Sequence, residues 1–162
     1  VDRDIKENTD IIVLPEVWTV GWSPKHFRDS AEEIQTSETI DFLSNIARDC
    51  KSWVIGGSFI TKIDTHYYNT CPVLNRHGEL IATYSKNHLF SYYGSDEGKY
   101  VEVGASPVMV DIEGVKTGLT ICYDIVLCYI SGNLQRVFHS FQTVPHHLIR
   151  RFCSIIHTYL TS

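Results

Sequence analysis

Ile11-Ile-Val-Leu14 is a run with no polar face, closed by Pro15 and followed at once by Glu16. A strand that is apolar on both sides of its pleat must be covered on both sides, so the chain has to build a sheet with layers above and below it. The stretches that follow supply such layers. Residues 36–50 place Ile40, Phe42, Leu43, Ile46 and Ala47 at helical spacing behind Thr36 or Ser37 as N-cap. Residues 53–60 read as one further buried strand in which Gly56 and Gly57 mark a bulge or a close backbone approach. Residues 67–74 and 79–85 flank Asn75-Arg-His-Gly78 as a hairpin with Gly78 at positive φ, and 107–112 and 115–122 flank Glu113-Gly114 in the same way. The expected fold class is α/β, a mixed sheet covered by few helices.

The charge distribution divides the chain. All 19 Asp and Glu lie at or before Asp124, whereas residues 125–162 contain Arg136, Arg150, Arg151, His139, His146, His147 and His157 and no acid. We therefore expect a globular domain over 1–124 and a divergent tail over 125–162, in which only 148–160 has the pattern of a short helix. The net charge of -5 offers no basic field for a phosphate backbone, which argues against nucleic acid as a partner. No apolar run approaches the roughly 20 residues needed to span a bilayer. Five cysteines without a C-x-x-C pair fit free thiols in a reducing compartment, and the expected location is cytoplasmic. Histidine spacing supplies no metal-ligand pattern, and no glycine-rich phosphate loop is present, so neither a metal nor another cofactor is expected.

Three reactive residues share one placement. Glu16, Lys86 and Cys122 each stand at or just beyond the C-terminal end of an apolar stretch, in Ile-Val-Leu-Pro-Glu16, Ala-Thr-Tyr-Ser-Lys86 and Leu-Thr-Ile-Cys122. Strand ends that converge at one sheet edge are where open α/β sheets place their ligands. A thiol becomes a strong nucleophile only as thiolate, and a neighbouring carboxylate can take its proton and later deliver it to a leaving amine. An ammonium beside them can stabilise the oxyanion of acyl transfer. The chemistry implied is hydrolysis of a C–N bond through a thioester.

Leu14-Pro15-Glu16, Tyr84-Ser-Lys86-Asn-His88-Leu-Phe90 and Ile121-Cys122-Tyr123-Asp124 together resemble the three signature blocks of the nitrilase (carbon-nitrogen hydrolase) superfamily. The resemblance implies an αββα sandwich, here partial, with Glu16 as general base, Lys86 as the oxyanion-stabilising lysine and Cys122 as nucleophile. It further implies a second glutamate between the Lys and Cys blocks. Glu97, spaced from Gly104 as in amidase members, is preferred to Glu102, and its role would be to position substrate and keep Lys86 charged. Tyr123 is the other substrate-positioning candidate. Trp18-Thr-Val-Gly-Trp22, Gly56-Gly57-Ser58 and Asn69-Thr70 resemble the small-acid amidases, including omega-amidases that deamidate 2-oxoglutaramate or 2-oxosuccinamate. Such an enzyme takes a small-molecule amide and needs no cofactor, and family members form homo-oligomers.

The sequence departs from this pattern after Asp124. Omega-amidases continue with Arg-Phe-Pro-Glu, whose Arg suits a substrate carboxylate, but here Ile125-Val-Leu-Cys128 follows. By the resemblance, the second sheet comes from the half after the cysteine, which this chain replaces with its acid-free tail. A second expectation is therefore a non-catalytic fragment that associates through an uncovered sheet. His88, close to Lys86, offers a Cys-His alternative to the Glu-Lys-Cys set, and Cys50 and Cys71 read as core thiols.

Overall fold

The apolar run near the N-terminus becomes the short strand β1 (Ile11–Val13) of a twisted mixed sheet in the computed structural model, which describes residues 9–92, 94, 96–124 and 152–154. The chain then passes through two short 3₁₀ turns into helix α1 (Glu38–Cys50). Ser37 is the N-cap, its hydroxyl oxygen accepting from Ile40 N–H at 3.0 Å, and Glu38 and Asp41 favour the positive end of the helix dipole. Lys51 closes the helix in the left-handed conformation with φ 51°.

The stretch expected as one strand over 53–60 is two: β2 (Trp53–Ile55) and β3 (Phe59–Ile63). Gly57 sits at φ +62°, where a Cβ would overlap the Pro15 carbonyl, so the backbone turns away from β1 there instead of continuing along it. Strand β4 (His66–Leu74) pairs antiparallel with both pieces, Phe59 opposite Thr70 and Ile55 opposite Val73. Strand β5 (Leu80–Ser85) returns along the other side of β4 after a turn with Gly78 at φ +75°. Since β1 runs parallel to β2, and β2 and β5 both run antiparallel to β4, strands β1 and β5 point the same way.

The second hairpin is β6 (Met109–Ile112) and β7 (Val115–Gly118), a separate two-stranded sheet whose turn holds Glu113 and Gly114 at positive φ. Its second strand is shorter than the expected 115–122: one further hydrogen bond in the same register, Leu119 N–H to Val108 O, extends the pairing, and the chain then turns at Cys122. This hairpin lies across one face of the main sheet: Val110, Ile112, Leu119 and Ile121 pack on Ile11, Cys71, Val73 and Tyr84. The opposite face, through Ile12, Val54 and Leu74, packs on Leu43 and Ala47 of α1. Helix, sheet and hairpin thus make three layers. The second hairpin, expected within one mixed sheet, instead forms a separate two-stranded sheet.

The free edge of β1 is taken by β8 (Phe152–Ser154), parallel and in register from Ile11 opposite Phe152 to Val13 opposite Ser154. Here the expectation of a helix over 148–160 fails. The unpaired backbone groups of an edge strand set a demand that local helical spacing does not encode. The remainder of the tail lies outside the described residues.

Candidate active site

Glu16 stands on the turn after β1, and that turn is fixed from the β2–β3 break. Ser58 N–H donates to Pro15 O at 3.0 Å, Val17 N–H to Ser58 Oγ at 3.0 Å, and the Trp18 indole to Gly56 O at 2.9 Å. A Gly57→Ala substitution is therefore expected to destabilise the fold by more than about 1 kcal/mol and to displace Glu16, checked by urea unfolding. Lys86 follows β5 directly, its amide donating to Asn69 O and its carbonyl accepting from Gly104 N–H, each at 2.9 Å. Because β1 and β5 run alike, the two residues emerge at the same end of the sheet.

Lys86 and Glu97 are both fully enclosed, with 0% of either side chain exposed, and Glu16 retains 18%. Lys86 Nζ donates to Glu16 Oε1 at 2.7 Å and to Glu97 Oε2 at 3.0 Å. Phe90 N–H donates to Glu97 Oε2 at 2.8 Å, and Trp22 places its ring 5.5 Å from Nζ. Burial alone would pull the ammonium toward neutrality, but the Glu16 and then the Glu97 carboxylate outweigh it and raise Lys86 above the ordinary lysine value. The site's ammonium is thus locked in its charged form. Glu102, the other candidate, is at the surface, 2.6 Å from His66 Nδ1 and away from Lys86.

Cys122 lies beyond β7 in a tight turn at φ +46°, an uncommon conformation for a residue with a Cβ, and its side chain is exposed. Glu16 and the Tyr123 backbone are the polar groups near enough to act on its thiol. Crowding by neighbouring atoms, followed by the charge of Glu16, pushes the thiol up to about 11 against the opposing pull of Lys86. At rest the group is a thiol.

Asp124 builds the turn that carries Cys122. It accepts from Ile121 N–H at 3.0 Å and from the Tyr84 hydroxyl at 2.7 Å through Oδ2, and from His88 N–H at 2.8 Å through Oδ1. His88 Nδ1 is also 2.8 Å from Oδ1. His88, the sequence's Cys-His candidate, is thus engaged with the carboxylate that builds the turn. Tyr123 projects into an aromatic group, its ring centroid 5.7 Å from those of Phe90 and Tyr92 and its hydroxyl donating to that of Tyr92 at 3.1 Å. With Trp22, 6.1 Å from Phe90, these rings form a wall beside the ion cluster.

Glu16, Lys86, Glu97 and Cys122 are thus brought together, with Tyr123 at the rim. Sequence reasoning missed Asn69, which bridges the two glutamates, and the structural part of Asp124. Both residues stood inside recognised blocks, but an amide or carboxylate that organises other side chains leaves no spacing signature of its own.

Residues 2–131 match the family model for carbon-nitrogen hydrolases, and the chain belongs to that family. It is similar to omega-amidase NIT2 of Bos taurus, 35% identical over 125 residues that cover 74% of this chain and 45% of that protein. It is likewise similar to the 2-oxoglutaramate amidase of Bacillus subtilis, 31% identical over 125 residues, covering 77% of this chain and 47% of the relative. Among solved structures, Saccharomyces cerevisiae Nit3, a member of branch 10 of the nitrilase superfamily, superposes with a TM-score of 0.73 at 26% identity, covering 99% of this chain and 68% of that one. The chain spans less than half the length of these two curated relatives. Among the described residues no helix is long and apolar enough to cross a membrane.

Proposed function

We propose that this chain carries the nucleophile-bearing part of a cofactor-free thiol amidase that hydrolyses a small carboxylic amide, of the 2-oxoglutaramate type, to acid and ammonia. The observation that supports this reading is the buried cluster in which Lys86 bridges Glu16 and Glu97, with the Cys122 thiol close enough for the Glu16 charge to act on it. Glu16 takes the thiol proton as sulfur attacks the amide carbon, and Lys86 donates to the oxyanion of the tetrahedral intermediate. Collapse expels the amine, which leaves as ammonia with the proton held by Glu16. Water activated by the same carboxylate then cleaves the thioester and regenerates the thiol. Glu97 keeps Lys86 charged and in place, while Tyr123 and its aromatic neighbours hold the carbon skeleton.

Ammonia release from 2-oxoglutaramate, asparagine, glutamine and simple aliphatic amides, compared between the native chain and Cys122→Ala, tests the proposal. Release that falls to background in the variant is expected, and equal rates would sink it. The same reading makes residues 1–124 the hydrolase unit, 125–162 a divergent tail, the compartment cytoplasmic and the protein a homo-oligomer.

A second reading, a unit that associates through an uncovered face instead of hydrolysing, draws on the exposure of Val103 and Met109, 57% and 59%, beside and on the outer hairpin. It expects concentration-dependent association in sedimentation with no amide turnover. A monodisperse monomer with a sharp thermal transition counts against it.

A further inference from the structure

Asn69 is the one fully buried amide in contact with both glutamates. Its Nδ2 donates to Glu16 Oε1 and to Glu97 Oε1, each at 3.0 Å, from the centre of β4. Its own Oδ1 is enclosed without a hydrogen-bond partner. That costs free energy, on the order of 1–3 kcal/mol for a buried unsatisfied acceptor. Turning the amide over would be worse, since the carbonyl would then face two carboxylates. Orientation is therefore forced by the acids, and both amide protons are committed to them. The backbone of the same residue accepts from Lys86 N–H, so one position on β4 sets base, lysine and second glutamate relative to one another.

Glu16 shows a further asymmetry. Asn69 and Lys86 both contact Oε1, which leaves Oε2 without either buried donor. The groups facing Glu16 are the Lys86 ammonium, the Asn69 amide and the Cys122 thiol, with Glu97 beyond Lys86.

We infer that Asn69 is a positioning residue for the proposed hydrolysis: its amide anchors one oxygen of Glu16 and so turns the second oxygen toward Cys122. The inference rests on the reading of Glu16 as the base. Removing the amide has two consequences. The Glu16 charge, which raises the thiol, is no longer partly neutralised by a donor, so less thiolate is present near neutrality. The direction of the carboxylate is no longer fixed, so productive transfer in the amide reaction falls.

The experiment is a double-substitution cycle with Asn69→Ala and Glu16→Gln, read two ways. Alkylation of Cys122 by iodoacetamide near pH 8, followed by mass spectrometry of the peptide that contains it, is expected to fall about threefold in Asn69→Ala and to change less than about twofold when Asn69→Ala is added to Glu16→Gln. Ammonia release is expected to lose about ten- to a hundredfold in kcat with KM changed less than about threefold. A purely structural role would lower both rates, in either background. Equal effects of Asn69→Ala with and without Glu16→Gln, or no effect in either, would overturn the inference. Asn69→Leu, of nearly the same shape but without the donors or any added charge, repeats the cycle if the alanine variant does not fold; loss of the fold in both makes Asn69 a scaffold residue and also overturns it. An absence of wild-type turnover removes the hydrolase reading, while the alkylation cycle still decides the role of Asn69.

Discussion

Glu16→Gln is expected to move two properties of Cys122 in opposite directions. Amide turnover should fall by about a hundredfold to ten-thousandfold, the usual loss when a positioned general base is removed. The thiol, by contrast, should become easier to ionise. Crowding by its neighbours is the largest cause of the rise to about 11, but the Glu16 charge and hydrogen bond add to it, and only Lys86 and the Tyr123 amide oppose them. With a neutral Gln those two raising contributions go and the lowering ones stay, so the inflection in the rate of iodoacetamide alkylation against pH should move below about 11. A variant that is more reactive toward an alkylating agent and less reactive toward an amide would separate nucleophile ionisation from proton delivery. If turnover survives the substitution, Glu16 is not the base; if the inflection does not move, the thiol and the carboxylate do not interact.

Lys86→Met should be the most damaging single change to the fold. It leaves Glu97, with no exposed surface, and the largely enclosed Glu16 without their shared cation. Removing one partner of a buried ion pair costs about 3–5 kcal/mol, mostly the penalty of the stranded charge. Unfolding in urea should show this loss near neutral pH, and Lys86→Met combined with Glu97→Gln should recover part of it. The sign of the pH dependence follows from the raised value of Lys86 in the folded state. A cation bound more tightly by the fold stabilises fully below the unfolded lysine value of about 10.4, and that contribution is lost as pH rises through the folded value. The wild-type protein should therefore lose stability in strongly alkaline solution, and the gap to Lys86→Met should narrow there. A gap that stays constant would mean that Lys86 contributes packing and not charge.

How much of this was legible in the sequence varied with the reach of the interactions. Ile11–Val13, the Ser37-capped helix and the two glycine hairpins are encoded within a few residues, and they form nearly where local patterning puts them. The convergence of Glu16 and Lys86 was also legible, because two strands with the same direction deliver their ends to one edge. Gly56 and Gly57 carried a correct signal of close approach, but whether the chain bulges or breaks there depends on the Pro15 carbonyl, which belongs to another strand. β8 was illegible for the same reason: its pairing answers the open edge of β1, far away in sequence. Asn69 lay in plain view between two tyrosines and a threonine, and its function comes entirely from the carboxylates that meet it across the sheet.

The placement of Cys122 has a consequence for the order in which reactivity arises. Glu16 and Lys86 arrive on the main sheet, whereas Cys122 is carried at the end of the hairpin that covers it, held there by Ile112, Leu119 and Ile121 against Ile11 and Tyr84. A chain with only its first layer formed has an acid–lysine pair and a distant, ordinary thiol. Carboxylate and sulfur come together only where the hairpin packs on the main sheet, so under the proposed reading the docking of two sheets acts as the safety catch on the chemistry.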